Sequence, residues 1–179
     1  MNDAMPELDR DLTFHPIENN SPKTLSGEQL RQFNEVGFVF PVDVFGDSEM
    51  AAHRAYFDDL MERALQKGWS SYSINEWHKH CAEIWDLVTE PRILDCVQDL
   101  LGETLICWGT HYFAKMPGDG KQVSWHQDAS YWPLTPSKTV TVWLAIDDAD
   151  EGNGAMKLIP GSHIHGQIEF EKSSETEHN

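Results

Sequence analysis

"TLICWGTHYFAKMP", residues 104–117, is where the chain changes period. Cys107, Gly109, His111, Phe113 and Lys115 fall on one face and Trp108, Thr110 and Tyr112 on the other, a repeat of two that suits a strand. Outward toward the C-terminus, "PGDGK" (117–121) supplies turn residues, and "VSWHQD" (123–128) reads as a second strand. "KTVTVWLAI" (138–146) alternates again, with Thr139, Thr141 and Trp143 opposite Val140, Val142, Leu144 and Ile146. A loop, "DDADEGNG" (147–154), leads into "AMKLIPGSH" (155–163).

Outward toward the N-terminus the period is helical. In "LSGEQLRQFNEVG" (25–37), Ser26 can cap a helix with Gln29 reaching back, and Leu25 can staple to Leu30. Leu30, Phe33 and Val36 form its stripe, and Gly37 stops it. "DSEMAAHRAYFDDLMERALQKG" (47–68) puts Met50, Phe57, Leu60, Met61 and Ala64 on one face and ends at Gly68. "INEWHKHCAEIWDLV" (74–88) is a third helical region, and "TEPRILDCVQDLLG" (89–102) a further one, with Thr89 as cap and Pro91 in the first turn. Residues 1–24 carry Pro6, Pro16 and Pro22 without periodicity and are expected to form a flexible N-terminal arm. Helices followed by successive short strands imply one α+β domain over 25–179 whose mainly β core is a sandwich or jelly roll.

Composition narrows the function. Thirteen basic residues against thirty acidic ones give a net charge of −17, which repels phosphate backbones and anionic membranes, so no nucleic-acid or membrane partner is expected. Cys81, Cys96 and Cys107 have no CxxC spacing and are odd in number; with no apparent leader or apolar span, a cytoplasmic location is expected. "HKHC" (78–81) sits in a helical region where residues two apart diverge, and "DDADEGNG" lacks the closing Glu of a calcium loop, so neither is a compact metal site.

His126 and Asp128 are different. Two apart on a strand, their side chains point the same way, and an imidazole nitrogen and a carboxylate oxygen can converge on one cation. The series "WHQDASYW" (125–132), "VTVWLAIDDAD" (140–150) and "GNGAMKLIPGSH" (152–163), with "LSGEQLRQFNEVGFV" (25–39) and "PRILDCVQDLLG" (91–102) before it, resembles the phytanoyl-CoA dioxygenase family of Fe(II)- and 2-oxoglutarate-dependent oxygenases.

The resemblance implies a double-stranded β-helix (a cupin-like jelly roll) preceded by N-terminal helices. It also implies an enzyme that hydroxylates a small-molecule substrate with O2 while converting 2-oxoglutarate to succinate and CO2. It assigns His126 and Asp128 to Fe(II), with Gln127 pointing the other way, and puts His111, Lys115 and Trp143 near the cosubstrate. Tyr131 and Trp132 would shape the substrate pocket, and His163 in "IPGSH" would anchor a turn rather than bind metal. The family's third ligand, a later His, and the Arg that pairs with 2-oxoglutarate are not found. The last arginine is Arg92, and the histidines after His126 are His163, His165 and His178, the last in a polar tail. The chain is therefore expected to be C-terminally truncated, with a two-ligand site, which weighs against activity of these 179 residues alone. Two other classes stay open: a non-catalytic jelly-roll binding module or inactive fragment, and a metal-dependent isomerase on the same architecture. Iron binding with 2-oxoglutarate turnover separates them from the oxygenase.

Overall fold

Ser26 accepts a hydrogen bond from the Gln29 amide at 3.1 Å, and the Gln29 side chain accepts one from the Ser26 amide at 2.8 Å, a reciprocal cap that starts helix α1 (Gly27–Val36). The computed structural model describes residues 5–120 and 122–171. His178 lies outside them. Helix α1 ends at Gly37, whose φ of 91° is the left-handed region that glycine enters without strain. Leu25 and Leu30 are buried in one apolar cluster, as a staple across the first turn requires.

Helices α2 (Asp47–Gln66), α3 (Ala82–Val88) and α4 (Pro91–Leu101) follow. Leu60, Met61 and Ala64 of α2 bury against Ile74 and Ile84, with Phe57, Trp77 and Tyr112 packed around them. Truncating one of these large side chains to alanine would cost about 2–5 kcal/mol. Thr89, expected to cap α4, instead returns its hydroxyl to the Trp85 carbonyl at 2.8 Å and closes α3; Glu90 takes the cap by accepting from the Arg92 amide. Arg92 joins the starts of α4 and α2 through Glu49, 2.7 Å away. The Arg92 guanidinium and the Gly46 amide together hold the Glu49 carboxyl at about 2.

The sequence pattern called for a jelly roll, and the structure corrects it. Among the described residues there is no strand; an isolated antiparallel bridge joins Asn75 and His111, flanked by Glu76 N–H to Thr110 O (2.8 Å) and Tyr112 N–H to Ile74 O (3.1 Å). The physical reason lies in what a repeat of two encodes. It fixes which side each residue faces, whereas a sheet also needs a neighbouring backbone paired in register, and the described segments form no such ladder. Ile106 is 87% exposed and Trp125 63%, so part of the alternation meets solvent rather than a second layer.

Sidedness survives nonetheless. Tyr112 and Ala114 pack on the α2 cluster, while His111 and Phe113 turn to Tyr72. Val140 reaches the cluster of Leu25, Leu30 and Leu100, while Thr141 faces Asp128.

Residues 10–25, most of them from the segment expected to form a loose arm, are tied to the body. Asp99 of α4, 3% exposed, accepts the amides of Lys23 (2.8 Å), Thr24 (2.8 Å) and Leu25 (2.9 Å), and Asn19 donates to it at 3.4 Å. Asn34 of α1 pairs with both backbone groups of Ile17, at 2.7 and 3.0 Å. The His163 ring donates from Nε2 to the Asn34 carbonyl at 3.0 Å and meets Phe14 edge-on at 4.4 Å. A Cβ on Gly37 would lie 2.7 Å from His163 Nδ1, so this approach requires glycine.

Burial alone would raise the Asp99 carboxyl, but the three backbone amides outweigh it and leave it below its ordinary 3.8. Its contribution is therefore complete above the unfolded-state value and lost as pH falls through the depressed folded-state value. Asp99→Ala strands three amides and is expected to cost about 3 kcal/mol at neutral pH. In urea unfolding, the gap to wild type should narrow as pH drops below 3.8; equal midpoints at neutral pH would contradict this role.

Candidate metal centre

Gln127 has an extended backbone, φ −117° and ψ 119°, which sends its neighbours' side chains to the side opposite its own. Its amide group donates to the Gly166 carbonyl at 2.8 Å and accepts from the Ile168 amide at 2.8 Å, pinning the segment after the His163 turn. On the other side, His126 Nε2 and Asp128 Oδ1 stand 3.2 Å apart. Asp128 is not in a strand: it is the first residue of a 3₁₀ turn, Asp128–Tyr131. The convergence thus comes from one extended residue and a turn.

The tautomer follows from a carbonyl. His126 Nδ1 lies 2.7 Å from Ser124 O, which can only accept, so Nδ1 carries the proton. In neutral His126, Nε2 then aims a lone pair at an anionic oxygen, a repulsive contact unless a proton or a metal cation lies between. Thr141 Oγ1 donates to the other carboxylate oxygen, Oδ2, at 3.4 Å. An Nδ1–H···O=C bond and a hydrogen-bonded carboxylate are the outer contacts that metal-ligating His and Asp commonly keep. Donors on neighbouring vertices of an octahedron with bonds of about 2.1 Å lie about 3.0 Å apart. A nitrogen and an oxygen donor at this spacing fit Fe(II). Among the described residues, no group of three His, Cys, Asp or Glu side chains forms a metal site.

The remaining expected site residues are spread out. Tyr131, half exposed, sets its ring 6.4 Å from His126, while the Trp132 carbonyl faces Arg10. His111 stacks edge-on against Tyr72 at 4.2 Å. Lys115 donates to the Gly154 carbonyl at 3.2 Å, and Trp143 is 47% exposed. His111 and Lys115, both expected near the cosubstrate, thus have different neighbours. A cleft of about 190 Å³ lies behind Gln127, lined by Ala129, Ser130, Phe14, Phe33 and His163.

Three neighbours of the pair were not singled out from sequence: Thr141, Tyr72 and Arg10. Thr141 had a signal, since alternation placed it on the polar face of "KTVTVWLAI". Tyr72 and Arg10 had none, being brought near only by tertiary packing. Burial first, and then the negative charge of Asp128, push the Tyr72 phenol above its ordinary 10.0.

The family model for phytanoyl-CoA dioxygenase matches residues 33–178. The peroxisomal phytanoyl-CoA dioxygenase of Bos taurus is 26% identical over 179 residues, covering 84% of this chain and 52% of that protein. The ectoine dioxygenase of Bordetella parapertussis is 26% identical over 160 residues, covering 82% and 52%. A protein of Stutzerimonas stutzeri named a probable alpha-ketoglutarate-dependent hypophosphite dioxygenase is 33% identical over 99 residues, covering 55% and 34%. The chain thus spans about half the length, or less, of these curated relatives. No solved structure matches it. Among the described residues, no helix is long and apolar enough to cross a membrane.

Because a carboxylate disfavours a nearby phenolate, Asp128→Asn should lower the Tyr72 titration midpoint, with the larger contribution of burial remaining. The tyrosine Cζ resonances followed with pH would report it; an unmoved Tyr72 would mean that Asp128 points elsewhere.

Proposed function

The chain belongs to the phytanoyl-CoA dioxygenase family, and from that premise we propose that His126 and Asp128 form the protein's edge of an Fe(II) site in a 2-oxoglutarate-dependent dioxygenase acting on a small-molecule substrate. The observation that carries this is the 3.2 Å approach of His126 Nε2 to Asp128 Oδ1, with the Nδ1 proton held by the Ser124 carbonyl. Fe(II), when bound, supplies the chemistry that couples oxidation of 2-oxoglutarate to succinate and CO2 with hydroxylation of a substrate C–H bond by O2.

The chain's own residues do the rest. Asp128 brings a negative charge that offsets part of the cation's, and Thr141 holds the far oxygen so that Oδ1 faces the imidazole. Gln127 keeps its backbone between the ligands extended by gripping Gly166 and Ile168. Tyr131, at the edge of the pair, and Trp132 after it form one wall against substrate and limit water there. Lys115 spends one of its three donors on Gly154 and has two more that suit an anionic carboxylate of the cosubstrate. The curated relatives are named for unlike compounds, a phytanoyl thioester, ectoine and hypophosphite, so the substrate is left at the level of a small molecule.

A non-catalytic binding module is the second reading. It is favoured by the lack, among the described residues, of a third His, Cys, Asp or Glu beside the pair. One experiment separates the two. Anaerobic addition of Fe(II) and 2-oxoglutarate should give a weak visible charge-transfer band, lost in His126→Ala and in Asp128→Ala. Fe(II) affinity should fall at least about 100-fold in each, beyond the cost of losing an outer contact. A folded wild-type chain that gives no band would favour the binding module.

A further inference from the structure

The 3₁₀ turn that starts at Asp128 is too short to hold itself. At its two ends Ser130 N–H donates to Gln127 O at 3.0 Å and Trp132 N–H to Ala129 O at 3.4 Å. The carbonyls at its end have no further turn of helix to donate to them. Arg10, about 120 residues earlier in the chain, reaches them instead. Its Nη1 donates to Ala129 O at 2.9 Å and Trp132 O at 2.7 Å, and its Nη2 approaches Ser130 O at 3.4 Å. A planar fork of donors suits several converging carbonyls, whereas an ammonium is a single point. The segment carrying Arg10 is itself fixed on the far side of the turn: the Asp11 amide donates to Thr135 Oγ1 at 3.0 Å, and the Ser137 amide donates to Asp11 O at 2.8 Å.

We propose that Arg10 is a positioning residue for the metal edge: by gripping the carbonyls of Ala129, Ser130 and Trp132 it sets the turn that presents the Asp128 carboxylate to His126. Arg10 touches neither ligand's side chain in these contacts, and it acts through the backbone of the turn. The consequence for chemistry is geometric. Rotation of a four-residue turn swings its first side chain, and the 3.2 Å spacing that lets one cation take both donors opens. The inference rests on the reading of His126 and Asp128 as metal ligands.

The test uses the whole chain and Mn(II) as probe, with free Mn(II) read by electron paramagnetic resonance, beside thermal unfolding. Arg10→Ala should weaken Mn(II) binding about 10- to 100-fold, the range seen when outer contacts of a metal site are lost. Low-millimolar ethylguanidinium should restore it, because the fork can be supplied in trans, and Arg10→Lys should recover less. Wild-type affinity in Arg10→Ala overturns the proposal, as does a loss that ethylguanidinium fails to rescue while the unfolding midpoint stays at the wild-type value. Should Arg10→Ala not fold, Arg10→Lys carries the comparison, and wild-type affinity in it overturns the fork. If wild type binds Mn(II) no better than His126→Ala, it is the metal reading that fails, an outcome distinct from wild-type binding that Arg10→Ala leaves intact.

Discussion

An imidazole nitrogen and a carboxylate oxygen held 3.2 Å apart, His126 Nε2 and Asp128 Oδ1, set the constraint around which this part of the molecule is arranged. Left alone, a lone pair and a carboxylate at that distance repel in the neutral-histidine state, and two mobile side chains would drift apart. Here each is held from behind: His126 by the Ser124 carbonyl, Asp128 by the Thr141 hydroxyl and by its place at the start of a turn. Preorganisation of this kind means that a cation binding there does not first have to order its ligands.

The restraint can be followed through the fold. Asp99 on α4 fixes residues 23–25 just ahead of α1 through three amides. Helix α1 receives the earlier segment through Asn34 and Ile17, and the Ser162–His165 turn through His163 and the Asn34 carbonyl. From that turn the chain passes to Gly166 and Ile168, both bound by Gln127, the residue between His126 and Asp128. Arg10 closes the circuit from the other end, on the carbonyls of the 3₁₀ turn. Helices that carry neither His126 nor Asp128 thus help set the spacing of the pair.

The helical half was legible because its signals are local. A Ser and a Gln three apart, a Leu staple and a terminal Gly need only their neighbours to act, so α1 appears where the pattern put it. Which face each residue of 111–114 and 140–141 presents was legible for the same reason. Whether those faces become a sheet was not, since pairing depends on a partner segment that periodicity does not name. The approach of His126 to Asp128 was legible because one extended residue suffices to bring the two side chains together. Arg10 was not, because a lone arginine in a proline-containing, aperiodic stretch looks the same whether it is solvated or clamps a turn 120 residues away.

Electron spin echo measurements on a paramagnetic divalent ion bound to the chain, with histidine isotope-labelled, test the central claim most directly. The account predicts modulation from one imidazole nitrogen, abolished by His126→Ala although eight of the nine histidines remain. Modulation that persists in that variant, or an ion bound with no imidazole nitrogen at all, would contradict it.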